Sequence, residues 1–146
     1  TQTPRLPGLD GRKMSKSYGN TIDLSDPDDA VLKKVSMMIT DPKRIKLADK
    51  GHPDICNVYA YYSTFAPEMT EAAHSWCVNA EIGCTECKKR FAEALLKSLG
   101  PLRKKRAELA SDKQAIRKIL ENGRQKAQEA AAKTLGEVKE ILKLAL

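Results

Sequence analysis

Residues 85–99, TECKKRFAEALLKSL, decide the fold class. Phe91, Leu95 and Leu99 recur every fourth residue, so they line one face of a helix and offer a stripe that a core can cover. Upstream the same period returns. Pro67 opens a helix through EMTEAAHSWC, which Gly83 ends; Ile55, Val58 and Tyr62 space a helix from near Asp54 to about Phe65. The aromatic run VYAYYSTF would also permit a strand, but no alternating partner lies nearby. Further back, Val31, Val35 and Met38 share a face of a helix for which Asp26 is the expected N-cap and Pro27 the first residue, with Asp28 and Asp29 at the positive end of its dipole. Thr40 to Pro53 is polar and broken by Pro42, Gly51 and Pro53, so it reads as a connection.

Downstream of the quoted stretch, Gly100-Pro101 is expected to interrupt or kink the helix, and Ser111 to cap a short helix through Ile116, Ile119 and Leu120. Gly123 is expected to interrupt again before the strong helix formers of RQKAQEAAAKTLGEVKEILKLAL. The fold class is therefore all-α, a helical bundle. The first 25 residues differ: Pro4, Pro7, Gly8, Gly11 and Gly19 stand where no helical period exists, which gives an extended or looped segment. The expected organisation is a loop segment over 1–25 and a helical domain over 26–146.

With 41% hydrophobic and 31% charged residues, the composition is that of a folded domain and not of a disordered chain. No apolar run approaches the ~20 residues that span a bilayer, and TQTPRLPGLDG lacks the apolar core of a signal peptide, so no membrane and a cytoplasmic address are expected. The formal charge of +7 is unevenly spread. Thr85 to Lys126 holds 13 Lys or Arg against 5 Asp or Glu, and the rest is close to neutral, a distribution that favours a polyanionic partner.

The segment GRKMSKS sets Lys13 and Lys16 three residues apart beside the hydroxyls of Ser15 and Ser17, so two ammonium groups and small donors can converge on a phosphate cluster. It is not a P-loop, because no glycine precedes a Lys-Ser pair at the required spacing. Any exposed basic loop can contain K-x-x-K, but the complete string KMSKS resembles the second signature of class I aminoacyl-tRNA synthetases. Its setting, LPGLDGRKMSKSYGNTI, is similar to the bacterial tryptophanyl branch. TDPKR at 40–44, GHPDICNVY at 51–59, GCTECK at 83–88 and the closing pattern of Pro101, Arg103, Arg106, Ile119, Leu120, Gly123 and Ala127 follow the same family in order.

The resemblance implies activation of tryptophan with ATP and Mg, followed by transfer to tRNA(Trp). It places Lys13 and Lys16 on the phosphate chemistry, with Met14, Ser15 and Ser17 assisting and Leu6 against the adenine. The family's other signature, a His-rich turn of HIGH type, belongs to a Rossmann half with the tryptophan pocket, and neither His52 nor His74 stands in such a motif. The loop is then the KMSKS loop of a Rossmann domain this chain lacks; the chain alone is expected to be inactive, and the full-length enzyme to be a homodimer.

Cys56, Cys77, Cys84 and Cys87 are spaced C-x20-C-x6-C-x2-C. In a reducing compartment they are buried thiols or metal ligands, and Cys56 and Cys77 on apolar helix faces suit the first reading. A subset of the family carries a similar four-cysteine arrangement, with a slightly longer first gap, and binds a 4Fe-4S cluster near the anticodon. That likeness implies a cluster here; zinc is the alternative, as four thiolates or three with His74 can hold it. Lys88, Arg90, Arg103 and Arg106 are expected to bind tRNA phosphates and Trp76 to stack on an unpaired base, while Phe91 fits the core as well as a stacking role. The competing reading is a stand-alone RNA-binding or metal-sensing helical module without catalysis, which has no need of an intact KMSKS string.

Overall fold

A computed structural model describes residues 6–144. The first five residues of the expected loop segment and the last two of the expected final helix lie outside the described residues. Among the described residues five helices follow in order: α1 (Asp28–Ser36), α2 (Asn57–Phe65), α3 (Thr70–Val78), α4 (Cys84–Ser111) and α5 (Lys113–Ile141). Short 3-10 turns stand at Lys16–Tyr18, Pro53–Ile55 and Pro67–Met69. Among the described residues there is no strand, only an isolated antiparallel bridge between Pro7 and Lys13. No helix among them is long and apolar enough to cross a membrane.

The chain forms two compact units, Thr1–Arg103 and Lys104–Leu146. The first holds the core. Val31 and Val35 of α1, Met38 after it, Val58, Tyr61 and Tyr62 of α2, Ala73 of α3, and Phe91, Ala92, Leu95 and Leu99 of α4 are buried together, joined by Leu9 from the loop segment. Phe91 meets Tyr62 and Tyr61 edge-on, at ring-centroid distances of 5.0 and 5.9 Å. It is a core residue and is unavailable for stacking on a base. In the second unit, α5 buries none of its described residues.

Several helix boundaries differ from the sequence expectation, each for a local reason. Pro27 occupies the N-cap position of α1, while the Asp26 carboxylate instead accepts from the backbone N–H of Asp23 at 2.8 Å and the Lys34 ammonium at 2.5 Å. Pro67 opens a 3-10 turn ahead of α3. Gly100-Pro101 does not break α4. The clash that normally keeps the residue before a proline out of helical geometry involves its Cβ, which Gly100 lacks. Beyond the proline, Arg103 ties α4 to the start of α1 by donating to the Asp28 carboxylate and the Asp26 carbonyl. Asp112, not Ser111, caps α5, accepting from the N–H groups of Gln114 and Ala115 at 3.0 and 2.9 Å. Gly123 lies inside α5 without ending it, next to Arg124, which bridges Glu121 and Gln128.

Candidate catalytic loop and cysteine pocket

The basic loop is a tight turn with an ordered base. Gly11, at φ 79°, lets the chain reverse so that Gly8 donates to the Arg12 carbonyl at 2.7 Å and Gly11 donates back to Gly8 at 3.0 Å. Ser15 then caps the turn Lys16–Tyr18 with its side chain, and Gly19, at φ 63°, closes it. Lys13, Lys16 and Ser17 are exposed, Met14 and Ser15 half-buried. Among the described residues neither Lys13 nor Lys16 makes an ion pair, so both ammonium groups are available to an anion. Arg12 is occupied elsewhere, paired with Asp10 at 2.6 Å and lying 4.8 Å over the Tyr18 ring.

Beneath the turn, Leu9 enters the core, with Leu6, Met14 and Ile22 packed against that core. Tyr61 donates to the Pro7 carbonyl at 2.6 Å, Asn57 to the Gly8 carbonyl at 3.1 Å, and the Ile39 N–H to the Leu9 carbonyl at 2.8 Å. Sequence reading missed these supports, since a single asparagine or tyrosine on a helix carries no periodic signal. It also missed Asn20, which is 4% exposed and bonded to three points of the loop. The Asn20 hydrogen bond, helped by Arg12, holds the Asp10 carboxyl down at about 2.

The four cysteines line one small cavity of about 20 Å³, together with Asp41, Arg44 and Trp76. Cys56 immediately precedes α2, Cys77 sits in the last turn of α3, and Cys84 and Cys87 lie one turn apart at the start of α4. None forms a disulfide. Burial pushes the Cys56 and Cys77 thiols above their ordinary range and Cys87 up to about 12, and neighbouring cysteines add to each shift. As the side chains stand, no three His, Cys, Asp or Glu among the described residues meet at a spacing that holds a metal ion. His74 packs beside Tyr59 at 6.0 Å and is not among the cavity's lining residues.

Two residues of the 40–53 connection shape this cavity. Gly51 donates to the Cys77 carbonyl at 2.9 Å, and a Cβ on Gly51 would stand 2.4 Å from Cys77 Sγ. Arg44 ties the connection to the α3–α4 loop by donating to Ile82 O at 2.8 Å, and it donates within the connection to Leu47 O at 3.0 Å, with its other amino nitrogen 4.0 Å from Cys84 Sγ. The donor set and the close approach at Gly51 fit a thiolate-held centre. The Arg44 guanidinium acts to lower the Cys77 thiol, but burial and the neighbouring Cys56 outweigh it.

Of the expected RNA-binding residues, Trp76 lies at the cavity with the Arg90 guanidinium 4.6 Å over its ring, and Arg90 also pairs with Glu86 at 2.9 Å. Lys88 donates to the Ser36 carbonyl at 2.8 Å, and Arg103 is engaged with Asp28 and Asp26. Arg106 is exposed and makes no ion pair among the described residues.

With this geometry in place, comparison with known proteins is informative. The family profile described as tRNA synthetases class I (W and Y) matches residues 1–100. The chain belongs to that family. It is 40% identical over 146 residues to a tryptophan–tRNA ligase of Aquifex aeolicus, covering 99% of this chain and 37% of the relative. A tryptophan–tRNA ligase of Thermotoga maritima is 36% identical, covering 99% and 44%. The solved tryptophanyl-tRNA synthetase of Campylobacter jejuni, complexed with ADP and tryptophan, superposes with a TM-score of 0.83 at 26% identity, covering 96% of this chain and 44% of that one. The chain thus spans about two-fifths of the length of the relatives it matches.

Proposed function

We propose that this chain supplies the phosphate-handling loop and the tRNA-gripping helices of a tryptophan–tRNA ligase. The carrying observation is the KMSKS turn itself: Lys13 and Lys16 exposed and unpaired on a loop whose base is pinned to a buried core. In the proposed reaction a tryptophan carboxylate oxygen attacks the α-phosphorus of ATP, with Mg on the phosphates, and the bond to the β-phosphate oxygen breaks as pyrophosphate leaves. Negative charge builds on the departing group, and ammonium groups placed there lower the barrier without reorganising. Lys16 and Lys13 fill that role, with the hydroxyls of Ser15 and Ser17 as lesser donors and Leu6 and Met14 against the nucleoside. The acyl group then passes to the 3′ end of tRNA(Trp). Residues 1–25 work with a Rossmann half that holds the tryptophan pocket, the full-length enzyme acts as a cytoplasmic homodimer, and the stand-alone helical module leaves the loop without a use.

The helical domain is proposed to bind the anticodon arm through Arg106, Lys88, Arg90 and Arg103, with Trp76 offering a face to a splayed base. Cys56, Cys77, Cys84 and Cys87 are the proposed ligands of a 4Fe-4S cluster, or of zinc. Their common cavity supports the reading, and side-chain rotation on binding must bring the sulfurs to ligand spacing. A bound centre would supply a cross-link between α2, α3 and α4 and no step of the reaction. The test of the ligase reading is Lys16→Ala in the full-length enzyme. Tryptophan-dependent pyrophosphate exchange should slow by roughly 2 to 4 kcal/mol in barrier, with tryptophan affinity nearly unchanged; unaltered exchange removes Lys16 from the mechanism.

A further inference from the structure

Asn20 lies just past the basic turn and is nearly sealed from solvent, at 4% exposure, in a segment whose other described polar residues are exposed or half-buried. Its side chain uses three of the four hydrogen-bonding positions of an amide. The carbonyl oxygen accepts from the Ser15 N–H at 2.8 Å, and the amide nitrogen donates to Asp10 Oδ1 at 2.8 Å and to the Lys13 carbonyl at 3.1 Å. Its backbone carbonyl accepts from Leu9 N–H at 2.9 Å, which ties it to the residue that enters the core. Gly8 completes the seat: a Cβ there would come within 2.3 Å of the Asn20 amide nitrogen, so only glycine leaves room for it.

The three bonded points have a simple relation to the lysines. One is the backbone of Lys13 itself, one is Ser15 immediately before Lys16, and one is Asp10 on the opposite arm of the turn. Both lysine side chains are exposed and, among the described residues, neither makes an ion pair, so the backbone is what fixes where the ammonium groups can reach. We infer that Asn20 is a positioning residue for the reaction: it clasps the loop so that Lys13 and Lys16 meet the phosphates together, and it touches neither substrate. This rests on the ligase reading above. Misplacing a reacting group by about 1 Å costs on the order of a hundredfold in rate, so a clasp of this kind belongs in the turnover number more than in tryptophan binding.

The experiment is a double-mutant cycle on tryptophan-dependent pyrophosphate exchange in the full-length enzyme. Asn20→Ala should lower kcat roughly ten- to a hundredfold, raise KM for ATP, leave KM for tryptophan within twofold (roughly), and keep cooperative unfolding. Placed on top of Lys13→Ala and Lys16→Ala, the same substitution should cost less than about threefold, because there is no longer a lysine to position. Gly8→Ala, which presses on the amide from outside, should reproduce the kinetic pattern with Asn20 in place. If Asn20→Ala fails to fold, Gly8→Ala carries the test. An equal cost with and without the lysines shows a merely structural residue and overturns the inference, as does full activity in Asn20→Ala and Gly8→Ala. No exchange by the wild-type enzyme sinks the ligase reading instead, and the two failures are distinct.

Discussion

Replacing Gly51 by alanine tests the cysteine cavity at its tightest point. The new Cβ would stand 2.4 Å from Cys77 Sγ and 3.3 Å from the Cys77 carbonyl oxygen. An ordinary contact needs about 3.4 Å or more, so one partner must move by about 1 Å. The backbone resists, because the Gly51 N–H to Cys77 carbonyl bond of 2.9 Å holds the two segments together. The thiol therefore has to leave its present rotamer, and the added methyl takes space that Cys77 Sγ needs in order to join the other three. Overpacking of this kind costs about 1–3 kcal/mol, to be read by urea unfolding of the metal-free chain. After anaerobic reconstitution with iron and sulfide, Gly51→Ala should bind well under one cluster per chain, since one of four ligands has been displaced. Gly83→Ala is the control: its Cβ would meet only the tip of Leu47 at 3.1 Å, a flexible end that can give, so its cost should stay under about 1 kcal/mol. Stoichiometric, tight metal uptake by Gly51→Ala would refute the assignment of Cys77 as a ligand.

Four other outcomes are expected. Because burial holds the thiols of Cys56, Cys77 and Cys87 above their ordinary range, metal binding must release their protons; affinity should rise as pH goes from 6 to 8 (roughly), followed by quenching of the single tryptophan, Trp76. Burial acts to raise the Asp41 carboxyl, but hydrogen bonds from the His52 ring and the N–H groups of Lys43 and His52 outweigh it and leave the group below 3.8. Its folded value being depressed, its contribution to stability is present above about pH 4 and is lost as pH falls through the folded value, so Asp41→Asn should flatten the acid limb of a stability–pH curve. Arg103→Ala should lower the melting temperature, since it frees Asp28 and the Asp26 carbonyl. Arg106→Ala should leave stability within about 0.5 kcal/mol and weaken all tRNAs alike, with the salt slope falling by about 0.7 to 0.9 for a lost phosphate contact.

Periodic features were legible in the sequence and contact-specific ones were not. Val31 with Val35, Val58 with Tyr62, and Phe91 with Leu95 and Leu99 are all buried, because a core reads the 3.6-residue period directly. Ile55 misled for a plain reason: it belongs to a 3-10 turn ahead of α2, so its helical phase does not hold, and it is half exposed. The breakers at Gly100, Pro101 and Gly123 were weighed by intrinsic propensity alone, whereas flanking helix formers and the Arg103 contact with Asp28 favour continuation. For the sites, K-M-S-K-S and the cysteine spacing stood out as strings. Asn20, Asn57 and the approach of Gly51 to Cys77 act through single contacts between distant segments, and no local pattern encodes those.

These single contacts converge on α2, which joins the two candidate sites physically. The helix has nine residues and is about 13 Å long. Cys56 stands at its start, facing the cavity, and the next residue, Asn57, holds the Gly8 carbonyl beneath the basic turn. One turn on, neighbouring tyrosines divide the same labour: Tyr61 donates to Pro7 of the loop segment, and Tyr62 donates to the carbonyl of Cys87 at 3.0 Å. Successive helix residues point about 100° apart, so this alternation lets one short rod hold the loop on one side and the start of α4 on another. Rotating or sliding α2 cannot satisfy both partners of either tyrosine pair, because Tyr61 and Tyr62 are 2% and 0% exposed and have no slack in the core. Whatever fills or distorts the cysteine cavity at Cys56 therefore acts on the same helix that sets the base of the loop carrying Lys13 and Lys16.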